Sequence, residues 1–553
     1  MTANALRVIP LGGLGAIGKN MTVIEYGDAL IIVDAGLMFP DEEMLGIDLV
    51  LPDFTYIMQN REKALGVLLT HGHEDHVGAL PYLLRELDIP VFGSRLTLGL
   101  VNGKLGEHGL QRKATLKEVS PGMVVELGPF RIEFLEVCHS IPDGLAMAIH
   151  TPVGTVVHTG DFKLDQTPVD CRVTALHRFA ELGNNGVLLL MSDSTNAEVA
   201  GFTEAERTVG RTLDSIFAQA PGRVIVASFA SHIHRIQQVI DTAARHGRNV
   251  AVVGRSMIRN VNIADNLGYL TIPEGIMIRL KDVALLPDDR VVIISTGSQG
   301  EPMSALARMA SRDHPLIDIN PSDTVVISAK PVPGNERSVS RTIDRLFAAG
   351  ANVIYGSVAQ VHVSGHAAAE ELKMLLNLVR PRFFVPVHGE YRHLFFHAKL
   401  ARETGVPADH VFIMENGDVL ELTADTARIA ERVQAGMIFV DGMAIGNLRD
   451  VVLRDRSHLS TDGIVIVVVP VRAQDGALIG IPEVVFRGVA HSGDLEELAD
   501  ATRATLVHAL HSDELLQTTD VSILKNHVHD VVQKYLYKET RRRPLVLPVI
   551  VEV

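Results

Sequence analysis

The sequence predicts an α/β protein of several domains, and three observations carry that reading. Short apolar runs of strand length recur through the first two hundred residues, several of them ending in a histidine or an aspartate. From about residue 203 to 350 the pattern changes to a regular alternation of helix and strand. A chain of 553 residues also exceeds what one hydrophobic core serves, so about three domains are expected.

The elements follow in order. Gly13, Gly15 and Gly18 spell a GxGxxG after an apolar run. A dinucleotide site would need a helix to start there. The chain instead continues as strand 21–26, the turn Gly27-Asp28 and strand 29–33, which is a hairpin, and Asp34 follows it. The glycines therefore read as tight turns beside a site. Strand 66–69 runs into HGHEDH, residues 71–76. His71 and His73, two apart on an extended segment, can point the same way. Asp75 and His76 open a helix expected over 77–87. Further strands are expected at 91–92, 131–137, 146–150, 155–158 and 186–191, with His139 and Asp161 just past two of them.

The region 203–350 reads as an inserted doubly wound domain. Its helices are expected at 204–219, 233–246 and 338–349, and its strands at 223–229, 249–253, 291–295 and 324–328. Helix 367–379 then leads to strand 383–387 and His388. A linker of about thirty residues is expected after 422. The C-terminal part has strands expected at 464–469, 484–486 and 545–551 and helices at 495–511 and 521–537.

Composition narrows the classes. With 47% hydrophobic and 21% charged residues the chain is globular, not disordered. No apolar run approaches the length of a membrane span, and the first residues lack the basic region and cleavage site of a secretory leader. Two cysteines, Cys138 and Cys171, exclude both a disulfide framework and a cysteine-built zinc site. A soluble cytoplasmic protein is expected. The formal charge of -15 argues against a protein that coats nucleic acid with a basic surface. It is compatible with an enzyme that holds phosphates through cations inside an acidic shell.

HGHEDH is the strongest chemical signal. Imidazole nitrogen and carboxylate oxygen are ligands of zinc and related divalent metals. Crowding such groups together costs charge repulsion and desolvation, which a bound cation offsets. His71, His73, Asp75 and His76 are thus candidate ligands. His139, Asp161 and His388, each just after an apolar strand, are the further candidates. The other histidines, His158, His393 and His397 among them, read as structural, and Cys138 as packing.

HGHEDH, the isolated His139, GDFK around Asp161 and HGEYRH from His388 together resemble the metallo-β-lactamase fold, an αββα sandwich. The inserted α/β domain is similar to that of the β-CASP nucleases. SDSTN at 192–196, HVSGH at 362–366, PLGGLGAIGKN near the start and TGSQGEP at 296–302 resemble the bacterial ribonuclease J family, over essentially the whole chain. The resemblance implies a sandwich built from 1–205 and 351–422, a β-CASP domain over 206–350, a linker over 423–460 and a small α/β domain over 461–553.

It also implies two divalent ions per subunit, zinc or manganese. One would be held by His71, His73, His139 and Asp161, and the other by Asp75, His76, Asp161 and His388, with Asp161 bridging. Asp75, Asp193 and His366 would be catalytic, His366 protonating the leaving 3′ oxygen while Asp193 orients it. Asp34 would orient a ligand imidazole. The run His362, Val363, Ser364, Gly365 and His366 would contact substrate phosphate. Ser231 and His232 would hold a 5′-monophosphate, with ordinary helix capping by Ser231 as the alternative. Asp48 and Asp441 would bind a structural ion such as calcium, two surface aspartates being the plainer reading.

The implied function is 5′-to-3′ exonucleolytic and endonucleolytic cleavage of single-stranded RNA in messenger decay and ribosomal RNA maturation. A homodimer or homotetramer, with partners in an RNA-decay complex, is expected. A DNA-directed nuclease of the same group and a small-molecule metallo-hydrolase are the alternatives.

Overall fold

Along the strands of the sandwich, successive side chains point to opposite faces, and here both faces are covered. The computed structural model describes residues 5–553 apart from 42, 302, 333–334, 443, 447–449, 475–476, 490–494 and 513–519. An eight-stranded sheet runs in the order Ala427–Arg432, Asp418–Leu422, Leu6–Gly12, Met21–Tyr26, Ala29–Val33, Ala64–Leu68, Val91–Gly93, Leu116–Glu118. A six-stranded sheet runs Phe383–Val387, Leu189–Asp193, Thr155–His158, Gly144–His150, Phe130–Val137, Val124–Leu127. Leu6, Val8, Ile24, Ile31 and Val33 of the first sheet share one buried cluster with Ile132, Phe134, Met147, Met191 and Val385 of the second. Their sequence neighbours Leu135, Ala146, Leu190 and Phe384 point the other way, under helices Leu176–Asn185, Ala369–Val379 and Tyr391–Glu403. The result is the expected αββα sandwich.

Strand direction decides where the site forms. Ala29–Val33 and Ala64–Leu68 are parallel, with Val33 opposite Leu68. Thr155–His158, Leu189–Asp193 and Phe383–Val387 are also parallel neighbours, with Asp193 opposite Val387. Phe130–Val137 lies two antiparallel steps from Thr155–His158 and so runs the same way. Strands that run alike end on one edge. That edge gathers Asp34, His71, His139, Asp161, Asp193 and His388 from segments far apart in the chain.

The inserted domain is a five-stranded parallel sheet in the order Asn249–Val253, Val291–Ser295, Val224–Ala227, Thr324–Ile327, Asn352–Ile354. Val224, Val226 and Val292 face helices Arg207–Gln219, Ile233–Arg245 and Arg255–Asn266. Ile225, Ile293 and Val325 face Ala305–Ala310 and Glu336–Ala348. Both faces are buried, as parallel sheets require.

The helix expected over 77–87 is two short helices, Glu74–Val77 and Leu80–Glu86. Gly78 lies between them, where a Cβ would stand 2.3 Å from Leu37 Cγ. Pro81, without an N–H, suits the first turn of the second helix. The segment 423–460 is more than a connection, since it carries strands Ala427–Arg432, Met437–Asp441 and Ala444–Gly446 and helix Asp450–Thr461. These strands are short and partly polar, so no periodic signal marked them.

By internal contacts the chain forms two units, one of Met1–Phe39 with Leu49–Ile438 and one of Pro40–Asp48 with Phe439–Val553. In the second unit a three-stranded sheet, Glu483–Arg487, Ile464–Val471, Leu545–Glu552, packs Val465, Val467 and Val469 against Leu506, Val528, Val532 and Leu536 of two helices. Among the described residues, no helix is long and apolar enough to cross a membrane.

Candidate metal centre and phosphate pocket

His71, His73 and His139 meet through their ring nitrogens. His71 Nε2 lies 3.0 Å from His73 Nδ1, which lies 3.2 Å from His139 Nε2. The spacing matches the donor set of a small cation, because ligands about 2.0–2.1 Å from zinc at tetrahedral angles stand about 3.3 Å apart. Two of the outer nitrogens have partners. His139 Nδ1 donates to the Gly365 carbonyl at 2.8 Å, and His71 Nδ1 lies 3.1 Å from Thr70 Oγ1. Burial holds His71 and His139 well below the ordinary imidazole range and His73 at about 4. All three are therefore neutral near pH 7, the form that binds metal. Position 365 must be glycine, because a Cβ there would stand 2.7 Å from His139 Cε1.

The second cluster joins Asp75, His76, Asp161 and His388. His388 Nε2 is 3.2 Å from Asp75 Oδ2, and His76 Nε2 is 3.5 Å from the same oxygen. Asp161 Oδ2 stands between the two clusters. It lies 3.6 Å from His71 Nε2 and 3.7 Å from His139 Nε2 on one side, and 3.3 Å from His76 Nε2 and 3.5 Å from His388 Nε2 on the other. Burial disfavours charge on His76 and His388, but Asp161 and the neighbouring carboxylates outweigh it and raise both. Burial would likewise raise Asp75, yet His76 and His388 hold it low. Asp34, Asp75, Asp161 and Asp193 make this a pocket that calls for positive charge, and the donor types and spacings fit divalent metal.

The supporting groups set ring tautomers. His76 Nδ1 donates to Asp34 Oδ2 at 2.8 Å, which leaves Nε2 facing the cluster. Thr70 fixes Asp34 through its N–H and its hydroxyl, both at 2.8 Å. His388 Nδ1 donates to Thr195 Oγ1 at 2.7 Å, and that hydroxyl donates to Asp193 Oδ1 at 2.8 Å. Asp34 and His388 both have positive φ, 61° and 57°, uncommon for residues other than glycine. Thr70, Thr195 and Asn20, which donates to the Asp75 carbonyl at 3.0 Å, escaped the sequence reading. Thr195 lay in plain view inside SDSTN. For Asn20 the only cue was its place at the end of GAIGKN.

His366 Nδ1 lies 2.7 Å from Asp193 Oδ2 and 4.0 Å from Asp161 Oδ2. Burial opposes its protonation, but Asp193 outweighs burial and raises it. Its Nδ1 is committed to Asp193, which fits a proton donor better than a ligand.

The other expected contacts lie as follows. His232 is buried and His362 half-buried, with ring centroids 6.3 Å apart. His232 Nε2 and His362 Nδ1 have no hydrogen-bond partner; Glu206 Oε1 is 3.4 Å from His232 Nε2 but out of line for a bond. Burial lowers His232 to about 4 and His362 further. Two neutral imidazoles with uncommitted ring nitrogens thus sit at the carboxyl end of a parallel sheet, where such folds bind ligands. His232 is the N-cap residue of helix Ile233–Arg245 and no side chain caps it, so Ser231 is not a helix cap. Ser364 Oγ accepts from Asn196 Nδ2 at 2.8 Å. Val363 is packed in the core of the inserted domain. Asp441 pairs with Arg456, and Asp48 accepts from the Gly442 N–H at 2.7 Å. Among the described residues neither aspartate joins a metal-type cluster.

A sandwich whose strand ends bring two histidine–aspartate clusters around one shared carboxylate defines a metallo-hydrolase, and residues 14–193 match the metallo-beta-lactamase superfamily. Residues 221–346 match the Ribonuclease J beta-CASP domain, 351–414 the Zn-dependent metallo-hydrolase RNA specificity domain and 451–553 the Ribonuclease J C-terminal domain. The chain is similar to Ribonuclease J of Thermus thermophilus, 44% identical over 99% of this chain and 95% of that one. It is also similar to Ribonuclease J2 of Bacillus subtilis, 42% identical over 99% of both chains. The chain belongs to the ribonuclease J family. A solved structure described as a protein of unknown function from Enterococcus faecalis covers 76% of this chain and all of its own, at TM-score 0.53 and 17% identity, and shares the fold.

Proposed function

We propose that this chain hydrolyses single-stranded RNA, both stepwise from a 5′-monophosphate end and internally, in messenger decay and ribosomal RNA maturation. The observation that carries it is Asp161 Oδ2, 3.3–3.7 Å from four imidazole nitrogens of two clusters.

His71, His73, His139 and Asp161 would hold one divalent cation, and Asp75, His76, His388 and Asp161 the other, zinc or manganese. When bound, such a pair supplies an activated water and neutralises charge on the phosphate. The protein does the rest. Asp34, Thr70 and Thr195 keep the ligand rings in the tautomer that faces inward. His366 gives its Nε2 proton to the 3′ oxygen as the P–O3′ bond breaks, and Asp193 holds the ring by Nδ1. The products are a 3′-hydroxyl and a new 5′-monophosphate. Ser231, His232 and the 362–366 run provide the place for that 5′-phosphate, so each cut makes the end that the next round binds.

The last strand of the C-terminal sheet leaves Leu547, Val549 and Val551 exposed, which supports pairing with a second copy, in a homodimer or homotetramer. Light scattering of the purified chain tests this, and a monomer at micromolar concentration would overturn it.

The main experiment offers RNA of one sequence with 5′-monophosphate or 5′-triphosphate, and the matching DNA, with zinc, manganese or magnesium. Monophosphate RNA is expected to be shortened stepwise, triphosphate RNA cut internally and DNA left intact. Folded, metal-loaded protein that leaves RNA whole under every ion would sink the reading. Equal cutting of DNA would reassign the substrate.

A further inference from the structure

We propose that Glu371 is a positioning residue for the leaving-group step, its carboxylate tying the backbone after His366 to the segment after Asp161 and to the start of the inserted domain. The inference rests on the reading of His366 as the proton donor.

Glu371 sits in the first turn of helix Ala369–Val379 and is fully buried. Oε2 accepts from the Ala368 N–H at 2.8 Å. That bond is ordinary: a glutamate at the third helical position often reaches back to the residue before the helix. The other two are not. Oε1 accepts from the Leu164 N–H and Oε2 from the Thr203 N–H, both at 2.7 Å. Leu164 follows Asp161 by three residues, and Thr203 lies where the chain leaves the sandwich. A helix start needs neither.

The same segments grip His366 directly. Thr203 Oγ1 donates to the His366 carbonyl at 2.7 Å, and Asn196 Nδ2 donates to it at 3.0 Å. The Ala367 N–H donates to the Phe162 carbonyl at 2.7 Å. The peptides around His366 are therefore pinned to the loops that carry Asp161 and Asp193, and Glu371 closes the ring of contacts. All three of its hydrogen bonds go to backbone N–H groups. It touches no reacting atom, so its action on the chemistry passes through the placing of the segments it ties, that of His366 first among them. Removing the carboxylate leaves three backbone donors without their acceptor, those of Leu164 and Ala368 buried, and a displacement of about 1 Å at a reacting group costs about a hundredfold in rate.

The test uses Glu371→Gln, which keeps the shape but turns an amide NH2 toward one of those donors. The substrates are 5′-monophosphate RNA with ordinary linkages and the same RNA with sulfur in place of the scissile 3′ oxygen. A thiolate leaves without needing a proton. The variant is expected to lose about tenfold or more in kcat on the oxygen linkage. KM is expected to stay within about twofold and the metal content, by elemental analysis, to be unchanged. On the sulfur linkage the deficit is expected to shrink to about threefold or less.

His366→Ala is run beside it. Rescue of His366→Ala by sulfur upholds the proton-donor reading. If Glu371→Gln then loses the same factor on both linkages, or nothing on either, the inference is overturned. If sulfur fails to rescue His366→Ala, the donor reading falls and takes this inference with it. Should Glu371→Gln fail to fold, Glu371→Asp, one methylene short but still a carboxylate, is judged by the same ratio of linkages.

Discussion

The two halves of the metal centre are built differently. His71, His73 and His139 form an all-imidazole set, kept neutral chiefly by burial and further by the repulsion of neighbouring imidazoles. Across Asp161, His76 and His388 stand among carboxylates that draw protons onto them despite the burial. The first half is a ready donor set. The second is a concentration of negative charge that needs a cation, or protons, to be stable at all. One sheet edge thus gathers two candidate ion sites by two routes, desolvation on one side and charge on the other, around a single carboxylate oxygen.

That contrast can be broken experimentally. The largest effect is expected from Asp161→Asn, which removes charge from both halves at once. Cleavage should fall by at least about ten-thousandfold, and elemental analysis should find both ions depleted. Retention of two ions would show that the oxygen does not bridge.

His76→Ala should separate the halves. Both exonuclease and endonuclease activity should vanish while the fold, followed by cooperative thermal unfolding, persists and one ion per chain remains on the imidazole set. Residual cutting near the wild-type rate would refute the assignment of the second half.

Thr195→Val should act on the second half only. Without the hydroxyl, His388 loses the acceptor that sets its tautomer, and affinity for that one ion should weaken about ten- to a hundredfold. A calorimetric titration showing both ions weakened equally would contradict the division.

The smallest expected effect lies behind the acidic half. His397 is buried against Ser194 at 3.0 Å, and burial lowers it to about 3. The unfolded chain therefore binds a proton that the folded chain refuses between about pH 6.5 and 3. Stability should fall as pH drops through that window. His397→Gln should flatten the dependence in urea unfolding between pH 7 and pH 5, and an unchanged slope would show that His397 does not carry it.

Much of this was readable from residues. The apolar runs before His71, Asp161 and His388 are strands because buried parallel strands are apolar throughout. The hairpin at 21–33 was legible because two β-rich runs flank Gly27-Asp28, and this alone disposed of the dinucleotide motif. Two things were hidden. At the break after Gly78 the Ala79 N–H donates to the Ala35 carbonyl at 2.8 Å, some forty residues away, and no local periodicity carries that information. Thr70 and Thr195 matter only because Asp34 and His388 fold next to them; a threonine near a histidine in sequence says nothing about which ring nitrogen it holds.

The sequence by itself determined the donor chemistry of this protein: clustered imidazoles and carboxylates, almost no cysteine, and strands that end in ligands. Only the tertiary structure decided how those donors divide, which oxygen is shared, and that Glu371 binds three separate segments. The reason is physical. Residue type sets which atoms can bind a cation, whereas distance and burial, which set their charge and tautomer, exist only once strands far apart in the chain end on the same edge of a closed sandwich.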